Sequence, residues 1–245
     1  MIMESIRTGR VTRPTAVSRR RVVDAPVRMF HGLFAVCFAG AWLTAESELW
    51  RTLHVSLGYS LAGLLGFRLV YGCFGPRPAS LRLLVGRLVP LAGLIRNRRA
   101  VMTRPVSVWR PLWHGLMSGL ILVVLLGAVP VCLSGYLAFH DAPEWVAEWH
   151  DMLAEIMLAM VLGHVVLVAL GVFGEGGGRC GAMLTGRVPG SGPDLVRKNR
   201  TWLALVLLLV VLGYNGYVWL QSRGCGEAVC GEMVSVEGAR DGEHD

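Results

Sequence analysis

The sequence predicts an all-α membrane protein, in which a four-helix transmembrane bundle is followed by a fifth transmembrane helix. Hydrophobic residues make up 53% of the 245 residues and the mean hydropathy is positive, a balance that ordinary soluble domains do not have. Five apolar segments each have roughly the 20 residues that a helix needs to cross a hydrocarbon core of about 30 Å. No period-two alternation is visible, so helices are the expected spanning form.

The five predicted spans cover residues 29–46, 52–73, 110–133, 149–173 and 202–220. Residues 1–28 contain seven arginines without an apolar stretch of their own, so we expect a basic cytoplasmic segment and not a cleavable signal peptide. The predicted division is then a four-helix domain over 29–173, a cytoplasmic loop over 174–201, the fifth helix over 202–220 and an acidic periplasmic tail over 221–245. The mixed basic and apolar residues of 76–109 are expected to lie along the inner membrane surface.

The basic residues predict the orientation of the chain. When the segments between spans are counted alternately, 21 of the 24 Lys and Arg residues fall on one side and three on the other. Because positively charged loops stay in the cytoplasm, the N-terminus is predicted to be cytoplasmic and the C-terminus periplasmic. The net charge of +7 is therefore a topology signal, and it does not indicate nucleic-acid binding.

The six cysteines predict little covalent chemistry. No CxxCH motif occurs, so no covalent c-type haem is expected. Cys37, Cys73 and Cys132 lie in or at the ends of spans, where they are expected to be small packing residues. Cys225 and Cys230 lie in the predicted periplasmic tail, where a disulfide is chemically allowed, and the sequence leaves open whether they form one.

Histidines occur at matching depths in four of the spans. His150 and His164 are 14 residues apart in the fourth span, so they lie within about 40° of the same helix face and about 21 Å apart. In the predicted topology His54 lies near the outer start of the second span, at the level of His150. His31 and His114 both lie near inner ends, at the level of His164. Two levels of paired imidazoles are predicted, with His31 and His114 both open as partners of His164.

Facing histidines in a helical bundle are typical of haem ligation. A haem with histidine on both axial positions has no free position for a substrate, so electron transfer is the expected function. Glycines near the histidines would admit a flat macrocycle or would simply pack helices together; they are Gly32, Gly58, Gly63, Gly66 and Gly163. A haem-free transporter is the alternative from another class, although a metal transporter would normally add Asp or Cys ligands at the same depth.

Two charged residues within the spans have further candidate roles. Arg68 follows His54 by 14 residues and reaches the inner level of the same face, where it would pair with a haem propionate or serve as a snorkelling membrane anchor. Glu155 follows His150 by five residues, about 140° around the helix. Its two interpretations are a quinol proton acceptor and a helix–helix hydrogen bond.

Three stretches resemble the bacterial cytochrome b561 family, which is related to the b-type cytochrome subunits of nickel-iron hydrogenases. They are VRMFHGLFAVCFAGAWLT, LHVSLGYSLAGLLGFRLVYG and EWHDMLAEIMLAMVLGH, and AMLTGR is similar to a stretch that follows the fourth span in many members. The resemblance covers about residues 24–185. Gly32 replaces the usual Trp after the first-span histidine, and the smallest members lack a fifth span.

The resemblance implies a four-helix core with two b haems and quinone-linked electron transfer in the bacterial inner membrane. It implies that His54 and His150 hold the outer haem iron, and that His31 and His164 hold the inner one. The expected electron partners are quinone or quinol and a periplasmic protein such as a c-type cytochrome. The alternative is a b-type cytochrome anchor subunit of a larger oxidoreductase such as a hydrogenase, and the sequence does not decide between a homodimer and a subunit of a larger complex.

Overall fold

The computed structural model describes residues 19–89, 105–140, 142–175, 181–190, 192–196 and 198–241; residues 78, 105–111, 173–175 and 224–241 are described for their backbone alone. The elements in chain order are β1 (Arg19–Arg21), α1 (Ala25–Thr44), α2 (Arg51–Phe74), α3 (Leu81–Gly86), α4 (Pro105–Phe139), α5 (Glu144–Glu175), α6 (Gly181–Thr185), β2 (Arg187–Pro189) and α7 (Thr201–Asp241). Two short 3₁₀ helices cover Glu48–Trp50 and Arg77–Ala79.

Five of these helices are long and apolar enough to cross a membrane: α1, α2, α4, α5 and α7. The predicted all-α membrane fold with five spans is therefore confirmed. Few of their side chains are buried inside the protein; within the most apolar window of α5 the buried share is only 6%. Large apolar side chains such as Val166 and Leu209 are more than half exposed, as expected where a helix surface faces lipid instead of water.

The transmembrane helices pack as two antiparallel pairs with α7 added at one side. α1 lies along α2 and α4 lies along α5, because each pair is joined by a short connection, and α7 packs against α1 and α2. A common core takes side chains from all five helices: Phe30, Cys37 and Ala41 from α1, Leu61, Leu64 and Leu65 from α2, Leu125 and Ala128 from α4, Met157 from α5 and Val211 from α7. Cys37 is buried and Cys132 is half-buried, as expected of packing residues, whereas Cys73 is exposed near the end of α2.

Residues 174–201 contain more regular structure than the predicted loop. β2 pairs antiparallel with β1, with Arg20 opposite Val188, so this segment is joined to the N-terminal segment. Gly186 makes the connection: its φ is +74°, and its carbonyl accepts hydrogen bonds from the amides of Val22 (2.8 Å) and Val23 (3.2 Å). The glycine and proline content of this segment indicated a loop. β2 could not be predicted from the neighbouring sequence, because its partner β1 is more than 160 residues away.

Some predictions fall on residues outside the described set. Residues 90–104 of the predicted surface segment are among them, and so are the side chains of Cys225 and Cys230 and of the acidic tail. The disulfide and the tail charge therefore stay sequence predictions.

Candidate functional site

α2 and α5 bring His54 and His150 face to face. Their ring centroids are 6.3 Å apart and the rings are nearly perpendicular. Nδ1 of His54 lies 2.8 Å from the carbonyl oxygen of Ala41, and Nδ1 of His150 lies 3.1 Å from that of Val131. A carbonyl oxygen only accepts hydrogen bonds, so both rings carry their hydrogen on Nδ1 and keep a lone pair on Nε2. This is the tautomer that a metal-binding histidine needs.

α4 shapes the position of His150. Ser134 Oγ donates to the carbonyl of Val131 (3.1 Å) and lies 3.2 Å from His150 Nδ1. A Cβ at Gly135 would come within 2.8 Å of His150 Cε1, so only glycine lets the ring approach the helix this closely. Neither Ser134 nor Gly135 was predicted from the sequence, where they are only an adjacent pair of small residues inside an apolar span.

α1 and α5 bring His31 and His164 together at the second level. Their ring centroids are 6.4 Å apart. His31 is exposed, whereas His164 is half-buried and its buried Nδ1 has no hydrogen-bond partner in the part of the chain that the structure describes. Of the two histidines that depth alone left open, the structure places His31 opposite His164. His114 lies on α4 and has an interaction of its own.

The spacing of both pairs fits two imidazoles on one metal ion. An imidazole nitrogen binds a metal at about 2.0–2.1 Å, and two such bonds plus the distances from nitrogen to ring centre come to roughly 6 Å. Among the residues that the structure describes, no group of three or more His, Cys, Asp or Glu side chains could hold a metal ion. A bare ion needs more than two protein ligands, whereas haem supplies four nitrogens itself. Both pairs therefore fit haem iron better than a bare ion.

The glycines beside the histidines leave open space. A Cβ at Gly32, Gly58, Gly63 or Gly66 would meet no atom of a described residue within 4 Å, whereas one at Gly40 would come within 2.8 Å of Leu57. Gly40 thus serves close helix packing and the other four do not. Gly32 is adjacent to His31, and Gly58 lies one turn after His54, so a flat macrocycle would find room at both levels.

Arg68 belongs to a polar cluster that we call the Asp24 cluster: Asp24, Arg68, Tyr71 and Arg200. The guanidinium of Arg68 is buried, donates to the carbonyl of Ala79 (3.0 Å) and lies near the charge of Asp24. Tyr71 donates to Asp24 Oδ2, and Arg200 donates to Tyr71 Oη at 3.2 Å. The bond to Tyr71 raises the pKa of Arg200, so this guanidinium keeps its charge. The pairing of Arg68 with a haem propionate stays a prediction.

Glu155 lies exposed on α5. Among the described residues it makes no hydrogen bond or ion pair, so an interhelical hydrogen bond within this part of the chain is not formed. Its role as a proton acceptor also stays a prediction.

Comparisons with known proteins identify the family. A family model described as prokaryotic cytochrome b561 matches residues 22–186, which is most of the chain. No curated protein and no solved structure matches the sequence. The matched range contains α1, α2, α4 and α5 with both histidine pairs, and it leaves α7 outside. The chain therefore belongs to the prokaryotic cytochrome b561 family, whose members are membrane-embedded b-type haem proteins of electron transport.

Proposed function

We propose that this cytochrome binds two b haems, one at each histidine pair, and carries electrons across the bacterial inner membrane. The observation that supports this most strongly is the repetition of the same geometry: ring centroids 6.3 Å apart at His54 and His150, and 6.4 Å apart at His31 and His164. α5 contributes to both pairs with histidines 14 residues apart, about 21 Å along the helix. The two haems would therefore lie at different depths.

The protein's own residues hold and tune the haems. Nε2 of each histidine would bind iron, while the carbonyls of Ala41 and Val131 hold Nδ1 of His54 and His150 and so raise the electron donation of those rings. When bound, a haem with two histidine ligands accepts and releases one electron and leaves no position for a substrate. The apolar helices around the pairs keep the sites at low dielectric and exclude water.

The distribution of basic residues supports an orientation with the N-terminus in the cytoplasm and the C-terminus in the periplasm. In this orientation His54 and His150 lie toward the periplasm, and His31 and His164 lie toward the cytoplasm. Arg68, on α2 toward the cytoplasmic end, would then be on the side of the inner haem propionates.

The proposed partners are the quinone pool and a periplasmic redox protein. The acidic tail over 221–245 would attract a basic partner such as a c-type cytochrome, because complementary charge raises the association rate. Electron transfer to candidate cytochromes should therefore slow as salt is added, and a rate that is independent of salt would contradict this partner class.

The test is a reduced-minus-oxidised spectrum of the purified protein with a pyridine haemochrome assay of haem per chain. We expect two b haems per chain in the wild type. His54→Ala and His31→Ala should each keep one haem, and their spectra should differ because each variant keeps a different haem. His140→Ala, at an exposed histidine after the apolar part of α4, is the control that should keep both. Folded protein without haem would contradict the proposal and favour a haem-free transporter.

A further inference from the structure

A groove of about 410 Å³ lies between the end of α2 and the start of α7. Its walls include Phe67, Tyr71 and Phe74 from α2, and Arg200 and Leu203 from the start of α7. We call it the α2–α7 groove. Neither histidine pair lines it, and α7 lies outside the range that the family model matches.

We propose that the α2–α7 groove binds the headgroup of a quinone or quinol, which rests on the proposed function because the bound molecule would exchange electrons with the haems. A quinone has a flat ring, two oxygens that accept hydrogen bonds and an apolar tail. The groove offers a surface for each of these parts.

The apolar wall suits a flat ring and a tail. The rings of Phe67 and Tyr71 are stacked, with centroids 5.4 Å apart and planes 15° apart. Phe74 is 87% exposed and Val70 is 61% exposed, so the groove opens on the outer surface of a membrane-spanning helix, near its end. A Cβ at Gly66 would meet none of the described atoms within 4 Å, which leaves room in the wall beside Phe67. A lipid-soluble ring could enter from the bilayer and stack on an aromatic side chain.

The polar end of the groove holds a fixed hydrogen-bond donor. Arg200 is in the left-handed region (φ 45°), a conformation that costs a non-glycine residue energy and needs support from its surroundings. That support comes from Asn199, whose side-chain and backbone oxygens both accept from the amide of Ala25. One N–H of Arg200 bonds Tyr71 Oη, and the guanidinium has further N–H groups for a quinone oxygen.

A proton acceptor lies directly behind the groove. Tyr71 lines the groove, and its Oη donates to Oδ2 of Asp24. Asp24 is 2% exposed, and its buried Oδ1 has no hydrogen-bond partner among the described residues. Oxidation of one quinol breaks two O–H bonds and releases two electrons, which the cytochrome takes up, and two protons. The first proton passes to Tyr71 Oη as Tyr71 gives its own to Asp24, and the second passes to water at the membrane surface.

The experiment uses the purified cytochrome in nanodiscs with a photoreactive azido-quinone, followed by peptide mapping. We expect labelling of residues 66–75 in the wild type and loss of most of it in Leu203→Trp, which fills the groove. Leu209→Trp is the matched control, because Leu209 is 67% exposed on the same helix and does not line the groove. Tyr71→Phe should keep the label but slow haem reduction by quinol roughly tenfold or more, as loss of a proton-transfer group does.

Labelling that Leu203→Trp leaves unchanged, or labelling confined to other helices, would overturn this proposal. Labelling that excess anionic phospholipid removes and excess unlabelled quinone does not would assign the groove to a lipid and overturn it as well. The haem assay is independent of the label: loss of the groove proposal leaves two haems per chain, whereas absence of haem contradicts the proposed function whatever the label does. Dithionite reduction of each variant shows that its haems are intact.

Discussion

The two histidine pairs have nearly the same ring separation, yet they differ in what holds each ring. At His54 and His150, both Nδ1 atoms are within hydrogen-bond distance of a backbone carbonyl. At the other pair, the buried Nδ1 of His164 finds no hydrogen-bond partner within the described ranges, and His31 is exposed. The two pairs thus share a ring separation, but among the described residues backbone carbonyls hold both rings in only one of them.

The difference has a structural origin. α1 supplies the carbonyl of Ala41 to His54, and α4 supplies that of Val131 to His150, so four helices converge on this pair. A carbonyl oxygen has two lone pairs and can accept from a histidine while it also accepts within its own helix. Because an anchored ring loses less freedom when it binds iron, we expect the His54–His150 pair to be the more rigid of the two sites.

The largest expected effect comes from Gly135→Ala, which should break the first pair and spare the second. The new Cβ would lie 2.8 Å from His150 Cε1, closer than a side chain tolerates, so the ring must move off its position. We expect haem per chain to fall from two to one in the pyridine haemochrome assay. The same substitution at Gly127, where a Cβ would be 3.8 Å from Met157, is the control on the same helix and should keep both haems.

The next largest effect is expected in the rescue of haem binding by added imidazole, which should differ between the two pairs. In His31→Gly and His54→Gly, added imidazole can replace the missing ligand only where it can enter. His31 is exposed and His54 is half-buried, so His31→Gly should regain its haem spectrum at several-fold lower imidazole than His54→Gly. The measurement is an imidazole titration of the reduced α-band, and equal or reversed rescue would contradict the difference in exposure between His31 and His54.

The sequence predicted the pairs because helical geometry and topology depend on spacing alone. The 14 residues between His150 and His164 fix a face and two depths, and alternating spans fix which histidines share a depth. Those rules leave His31 and His114 equivalent as partners of His164. The family resemblance implied His31, and the structure places His31 opposite His164. The five spans followed from apolar length in the same way.

What the sequence could not predict depends on contacts between helices. Any residue has a carbonyl, so nothing in the sequence marks those of Ala41 and Val131 as acceptors for a histidine. The helical face of Arg68 was predictable, but its bond to the carbonyl of Ala79 and its place beside Asp24 arise from packing between distant segments. The pairing of β1 with β2 is a contact of the same long-range kind.

A smaller effect is expected from Ser134→Ala, which should change the tuning of the first pair without loss of haem. Ser134 Oγ lies 3.2 Å from His150 Nδ1, and its removal weakens the hydrogen bonding of that nitrogen. The ring then donates less to iron, ferrous iron is favoured, and the midpoint potential of this haem should rise by tens of millivolts. Redox titration should show no change in the other haem. Ser118→Ala, at another buried serine of α4, should change neither.

The smallest effect is expected from Asn215→Leu, and it should fall on both pairs alike. Asn215 of α7 accepts from Ser56 Oγ (3.0 Å) and donates to Ser60 Oγ (2.8 Å), which ties α7 to α2 inside the membrane. Interhelical polar contacts of this kind contribute about 1 kcal/mol, so thermal unfolding should shift only slightly. α7 packs on the helices that carry His31 and His54, one ligand of each pair, so neither haem should be lost selectively.

Tyr217→Leu is the control for this last comparison, because Tyr217 lies on the same helix but is 60% exposed and makes no hydrogen bond to α2 among the described residues. Selective loss of the His31–His164 haem in Asn215→Leu would mean that α7 positions α1 more tightly than α2. In that case α7, which lies outside the four-helix domain, would provide the rigidity that hydrogen bonds do not give to the His31–His164 pair. Equal, small shifts would instead mean that each pair is positioned within the four helices, and that α7 is free to serve another role beside α2.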